Sequence, residues 1–285
     1  MKFTKMHGIG NDYIYVDCFK EKIDEPEKLS VAVSHRRFGI GGDGLILIMP
    51  SEVADFRMRM FNIDGSEGKM CGNGARCIGK YDYDKGLTDK TEITLETLGG
   101  IRHLRLFTEN GKVKNVEVDM GEAILTPSLI PMRADGDSFI ARPVVIGGDE
   151  NSITCLSMGN PHAVVFVNDT EALELEKIGP DFENHKLFPE RVNTEFVKVI
   201  SDKELAMRVW ERGSGETLAC GTGTCASVVS AVLNGFCKFD IPVLVHLRGG
   251  DLTITYRKDG TVIMLGPAVT VFDGEIDLNN LADNQ

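Results

Sequence analysis

The chain has 285 residues, 42% of them hydrophobic and 26% charged, and its 31 basic side chains against 43 acidic ones leave a formal charge of −12. That is ample apolar material for two cores, while the acidic balance argues against the basic surface that nucleic acid or an anionic membrane requires. A small molecule is the expected partner.

Met1 to His7 runs straight into alternating apolar sequence without a hydrophobic core region or cleavage site, so a cytoplasmic rather than secreted protein is expected. No apolar run approaches the length of a membrane span. Seven cysteines, an odd number, fit free thiols in a reducing compartment better than a disulfide framework.

In chain order, residues 13–19 read as a strand and 26–38 as a helix with Pro26 in its first turn. Strand patterns follow at 45–49 and 55–62, then a helix after Cys71 that Gly86 closes, then strands at 92–96, 101–107 and 113–120. Residues 121–137, with Pro127, Pro131 and Gly136, read as an interdomain connection. Beyond it come a strand at 163–167, a helix at 171–178, strands at 195–200 and 205–211, a helix at 221–234, and strands at 242–247, 252–256 and 262–265. The helix after Cys220 shows no charged face across 226–233, so it must be enclosed.

The second half repeats the first. Cys71-Gly72-Asn73-Gly74 recurs 149 residues later as Cys220-Gly221-Thr222-Gly223, and Gly10-Asn11 recurs at the same offset as Gly159-Asn160. A period of this size is that of a whole domain, far beyond a solenoid repeat. The fold class expected is mixed α/β (α+β): two pseudo-symmetric domains, each a barrel-like mixed or antiparallel sheet around a central helix.

A cysteine at a helix start lies beside unpaired backbone N–H groups and the positive end of the helix dipole, which favours thiolate. Glycines after it let a ligand approach the backbone, and the same N–H groups suit a carboxylate. Cys71 and Cys220 are therefore the candidate reactive thiols. Cys18, Cys155 and Cys237 read as small buried hydrophobes, and Cys77 and Cys225 as packing inside the helices. Gly39-Ile40-Gly41-Gly42-Asp43-Gly44 matches the dinucleotide fingerprint, but it follows a helix and precedes a strand, the reverse of the required context, so it reads as a turn. The cysteine spacings suit zinc poorly and no metal is expected. Nothing singles out a lysine for a Schiff base, and no cofactor is expected. The residues alone leave open an amino-acid racemase or epimerase, a binding protein that uses only the carboxylate cradles, and a redox protein that uses the two cysteines as a dithiol.

Lys5-Met6-His7-Gly8-Ile9-Gly10-Asn11-Asp12, Phe61 through Glu67, Cys71 through Cys77, Gly159-Asn160-Pro161-His162, Arg191 through Phe196, and Glu211 through Thr217 continuing to Cys220-Gly221-Thr222-Gly223 together resemble the motif set of the diaminopimelate epimerases, in that family's order and across nearly the full chain. The resemblance implies pyridoxal-independent interconversion of LL- and meso-2,6-diaminopimelate, in the synthesis of lysine and peptidoglycan precursors, by a protein that is often a homodimer. It implies a first domain of residues 1–120 plus 268–285, with the last strand returning to it, and a second of 121–267. It implies that Cys71 and Cys220 act as thiolate base and thiol acid on opposite faces of one carbon, with His162 and Glu211 tuning them. Asn11, Asn62, Asn160, Asn193, Glu211 and Arg212 would bind the substrate, with Gly72-Asn73 and Gly221-Thr222 lending backbone donors. Arg212 suits the distal carboxylate through its bidentate fork. Where some members of the family carry glutamine this chain has Gly44, so no side-chain contact is expected there.

Overall fold

The computed structural model of the chain describes residues 1–278. Residues 279–285, assigned above to the first domain, lie outside the described residues. The chain divides into two compact units, one formed by Met1–Val118 with the chain from Gly266 onward, the other by Asp119–Leu265.

The first unit runs β1 (Lys2–Gly8), β2 (Asn11–Asp17), α1 (Pro26–Ser34), β3 (Gly44–Met49), β4 (Phe56–Asn62), a short β5 (Glu67–Gly68), α2 (Gly72–Asp84), β6 (Glu92–Thr97), β7 (Gly100–Glu109) and β8 (Lys112–Glu122), whose end enters the second unit. The second unit continues through a 3-10 turn at Pro127–Leu129 and then β9 (Phe139–Ile146), β10 (Asp149–Ser157), β11 (Pro161–Phe166), α3 (Leu175–Glu183), β12 (Asn193–Ser201), β13 (Glu204–Glu211), β14 (Gly215–Thr217), α4 (Gly221–Leu233), β15 (Val243–Leu247), β16 (Gly250–Tyr256) and β17 (Thr261–Pro267). Finally β18 (Val269–Glu275) pairs antiparallel with β1 and so belongs to the first unit.

The two units are built alike. In the first, β2 runs parallel to β3, β3 antiparallel to β4, and β4 parallel to β6; in the second, β11 runs parallel to β12, β12 antiparallel to β13, and β13 parallel to β15. The register itself carries the duplication. Ile14 pairs with Leu45 as Ala163 pairs with Thr194, and Ile46 pairs with Met60 as Glu195 pairs with Val209. Each sheet wraps a central helix: α2 contacts β1, β7 and β18, while α4 contacts β10, β11, β12, β13 and β16. Burial explains the composition of α4, in which every residue except Thr222 and Leu233 is buried.

Both central helices are 13 residues long and end the same way. Gly86 and Gly235, again 149 residues apart, take left-handed φ of 74° and 78°. That turn lets the N–H groups of Leu87 and Phe236 fold back onto the carbonyls of Asp82 and Ala231 at 2.8 and 2.9 Å.

Three expectations are corrected. The first helix stops at Ser34 instead of 38, because His35 is extended and the N–H groups of Ile40 and Gly41 turn back onto the Val33 carbonyl at 2.8 and 2.9 Å. The helix expected at 171–178 lies at Leu175–Glu183. Gly179-Pro180 reads as a stop, yet the helix carries Pro180 through, since its buried face holds Leu175 and Phe182 and the Trp210 ring lies against Gly179, where a Cβ would stand 2.2 Å from it. The stretch 121–137 is no free connection either: it is held in the second unit by reciprocal backbone hydrogen bonds of 2.9 and 2.8 Å between Ile124 and Ser157.

Candidate active site

In the first unit the site forms at the N-terminus of α2. Cys71 is the N-cap, in extended conformation, and its Sγ accepts the N–H of Gly74 at 3.3 Å. The two-residue turn Ile9-Gly10 between β1 and β2 delivers Asn11, whose Oδ1 accepts from the Cys71 thiol at 3.6 Å and from Asn73 Nδ2 at 3.1 Å. Asn73 is held from behind: its Oδ1 accepts from Arg76 Nη2 at 2.9 Å, and the fully buried Arg76 also donates to the Pro267 carbonyl at 3.1 Å. Asp43 completes the set by accepting from Asn11 Nδ2 at 2.8 Å, which fixes the amide so that its oxygen faces Cys71. Gly72 opens the helix beside these groups, whereas Asn62 hydrogen-bonds Ser66 Oγ at 3.0 Å in the β4–β5 turn.

In the second unit Cys220 caps α4 in the same conformation, with Gly223 N–H donating to Sγ at 3.4 Å and Thr222 Oγ1 at 3.6 Å. The Glu211 carboxylate, which accepts from the Thr217 hydroxyl, lies near enough to Cys220 to act on its thiol. Burial, and then the carboxylates of Glu211 and Glu195, push the Cys220 thiol well above its ordinary range, against the smaller opposing help of Thr222 and the Gly223 N–H. Burial and the two carboxylates thus work against the thiolate that the helix start favours. Burial also pushes the Glu211 carboxyl up, making it a better proton acceptor.

His162 is fully buried, with Nδ1 2.7 Å from Glu195 Oε1 and Nε2 3.0 Å from Asn160 Oδ1. Asn160 Nδ2 reaches Thr222 Oγ1 at 3.3 Å, so the chain Glu195, His162, Asn160, Thr222 ends beside Cys220. Asn193 donates to the Pro161 carbonyl at 2.9 Å and accepts the Arg212 N–H at 3.1 Å, while the half-exposed Arg212 side chain donates to the Glu190 carbonyl at 3.1 Å.

Most of the expected residues thus gather into one cluster per unit, whereas Asn62, Asn193 and the Arg212 side chain bond to groups outside those clusters. Sequence reading missed Asp43, Arg76, Glu195 and Thr217. Of these Arg76, Glu195 and Thr217 carried a visible signal, by lying inside the motifs Cys71–Cys77, Arg191–Phe196 and Glu211–Thr217. All seven cysteines are free thiols; Cys77, Cys155, Cys225 and Cys237 are buried, but Cys18 is only half-buried. Burial pushes the Cys77 and Cys18 thiols up to about 11, which suits inert packing groups. Among the described residues no group of three or more His, Cys, Asp or Glu side chains is arranged to hold a metal ion, and no helix is long and apolar enough to cross a membrane.

The sequence model of a family described as diaminopimelate epimerase matches residues 3–126 and 154–271. A diaminopimelate epimerase of Agathobacter rectalis is 60% identical, over 98% of this chain and 100% of that protein. Another, of Acetivibrio thermocellus, is 57% identical over 99% and 100%, and one of Methanococcus maripaludis is 54% identical over 98% and 100%. Among solved structures, a probable proline racemase of Agrobacterium radiobacter superposes with a TM-score of 0.74 at 12% identity, covering 97% of this chain and 93% of that one. A hydroxyproline epimerase of Agrobacterium vitis gives 0.68 at 15% identity, over 97% and 90%. These two structures show a shared fold.

Proposed function

The chain belongs to the diaminopimelate epimerase family, and from that membership we propose that it interconverts LL- and meso-2,6-diaminopimelate by a two-base mechanism in which Cys71 and Cys220 carry the protons without a cofactor. The observation that carries this reading is the duplicated helix start, in which each thiol is an N-cap receiving the N–H of the third helical residue. Inversion at one carbon needs a base on one face and an acid on the other, and a duplicated thiol supplies one of each.

In turnover, one cysteine as thiolate takes the α-proton while the other, as thiol, gives its proton to the opposite face, so the substrate neither gains nor loses a proton. Cys220 enters as the thiol, an assignment supported by its burial and by the nearby Glu211 carboxylate. When Cys220 must act as base, Glu211 is the group that accepts its proton. The developing carbanion is stabilised through its carboxylate by the N–H groups at Gly72-Asn73 and Gly221-Thr222, donors of a kind worth about 3–4 kcal/mol each in a closed site. Asn11, Asn62, Asn160, Asn193 and Arg212 bind the two ends of the substrate, with Arg212 on the distal carboxylate. The free thiols support a reducing, cytoplasmic setting. A homodimer is supported by β18, which exposes Val269, Val271 and Phe272 along its length. Val271→Lys is expected to shift the protein to monomer in sedimentation equilibrium, and an unchanged mass would place the contact elsewhere.

The reading is tested by proton NMR with LL-diaminopimelate in D₂O, with chelator present and pyridoxal phosphate absent. The α-proton signal is expected to vanish as the meso isomer forms, and Cys71→Ser or Cys220→Ser is expected to stop inversion. Exchange with proline alone would keep the two thiols and discard the substrate; exchange with no amino acid would discard the enzyme.

A further inference from the structure

The duplication repeats the two helix starts but not what lies beneath them. The 149-residue offset carries Tyr13 of β2 and Ile46 of β3 onto His162 of β11 and Glu195 of β12. The correspondence holds in space within each unit: a Cβ on Gly74 would meet Ile46 Cδ1 at 2.7 Å, and a Cβ on Gly223 would meet Glu195 Oε1 at 2.5 Å. The same place under the third helical residue is filled by a methyl group in one unit and by a carboxylate in the other.

Both ring nitrogens of His162 face oxygen atoms, Glu195 Oε1 at 2.7 Å and Asn160 Oδ1 at 3.0 Å. In this orientation the Asn160 amide donates through Nδ2 to Thr222 Oγ1. An amide oxygen and a carboxylate can only accept, so with the amide in this orientation the ring donates twice, which is the imidazolium form. A cation with no exposed surface needs a counter-charge equally buried, and Glu195 is fully buried beside it. The other Glu195 oxygen, Oε2, has no hydrogen-bond partner among the described residues, so His162 is the group that anchors the carboxylate. The remaining titratable groups around the pair are Cys155 on β10, Glu211 on β13 and Cys220 at the start of α4.

We propose that Glu195 is a positioning residue that holds His162 as a doubly protonated cation beneath the Cys220 helix start, giving the second unit a fixed charge pair that the first lacks. The pair keeps its protons through turnover. Its cation offsets the carboxylates of Glu195 and Glu211 that oppose a thiolate at Cys220, and its orientation of Asn160 holds the Thr222 hydroxyl against the sulfur. Only the kinetic consequence rests on the two-thiol reading given above.

Nitrogen-15 NMR of protein labelled at histidine tests the charge without reference to activity, the His162 signals being assigned by their loss in His162→Gln. Near neutral pH both His162 nitrogens are expected to be protonated in the wild-type protein. In Glu195→Gln one nitrogen is expected to lose its proton, and the alkaline limb of the kcat/KM profile to move down by about one to two pH units; Glu195→Asp, which keeps the charge, is expected to restore most of the shift. A neutral His162 ring in the wild-type protein overturns the proposal, and this spectrum decides even if Glu195→Gln fails to fold. A Gln variant with His162 still charged and an unchanged profile overturns it as well. Wild-type protein that shows the charged ring but no epimerisation would instead count against the proposed function.

Discussion

A single glycine at the third position of each helix keeps the thiol in reach of the backbone, and the two glycines are not equally replaceable. An alanine Cβ at Gly223 would stand 2.5 Å from Glu195 Oε1 and 3.1 Å from Cys220 Sγ, pressing on a buried carboxylate and on the sulfur itself. At Gly74 it would meet the terminal methyl of Ile46 at 2.7 Å, which can rotate away, and Cys71 Cβ at an ordinary 3.4 Å. Gly223→Ala is therefore expected to lower kcat/KM by about 100-fold, the usual cost of misplacing a reacting group by an ångström. Gly74→Ala is expected to cost about tenfold or less, and equal losses in steady-state assays would contradict this asymmetry. At this scale Cys71, Cys220, Asn11 and Asn160 were legible in the sequence because their motifs repeat. Asp43 was not, because a glycine-rich turn announces its backbone and says nothing of which side chain it offers to Asn11. The role of Glu195 did not show either, although the residue lies within the Arg191–Phe196 motif, because its partner, His162, lies 33 positions away.

Among the elements, α4 is apolar on every side and its enclosure could be read directly, whereas α2 buries two charged-type residues with opposite consequences. Arg76 is stabilised by Asn73, the Gly72 carbonyl and the Pro267 carbonyl. Asp82 is fully buried with neither carboxylate oxygen hydrogen-bonded among the described residues, and burial, then the nearby Asp17, push its carboxyl well above the usual range. A group whose folded-state value is raised contributes stability that is complete below its unfolded value, near 4, and is lost as pH rises toward the folded one. Asp82→Asn removes that loss. The variant is expected to gain about 1–3 kcal/mol over the wild-type protein at neutral and mildly alkaline pH and little near pH 4, as read from urea unfolding at both. A gain that is the same at both pH values would show that Asp82 does not titrate in this range. The C-terminal boundary of α2 was legible from Gly86. That of α3 was not, since the packing of Trp210 on Gly179 overrides the local stop at Gly179-Pro180 and comes from a strand thirty residues on.

For the whole molecule, the duplication was legible because the 149-residue offset survives in motif, register and helix length alike; the helper residues that differ between the copies were not, since divergence is what removes them from the repeat. The first unit is also discontinuous, and this makes its stability depend on the end of the chain. β18 supplies the antiparallel partner of β1 from Lys2 to His7, and Asp273 accepts from Thr4 at 2.6 Å and from Lys85 at 2.7 Å. Ending the chain at Ala268 would expose the backbone of β1 along that edge and uncover the buried face that α2 shares with β18, while no strand pairing within the second unit would be lost. The chain carries one tryptophan, Trp210, which lies in the core of the second unit, so its fluorescence follows that unit while far-ultraviolet circular dichroism follows both. The truncated chain is expected to lose part of its dichroism at a markedly lower temperature than its tryptophan signal, two transitions where the units no longer unfold together. Coincident transitions at the temperature of the full chain would mean that β1 through β8 close their core without the returning strand.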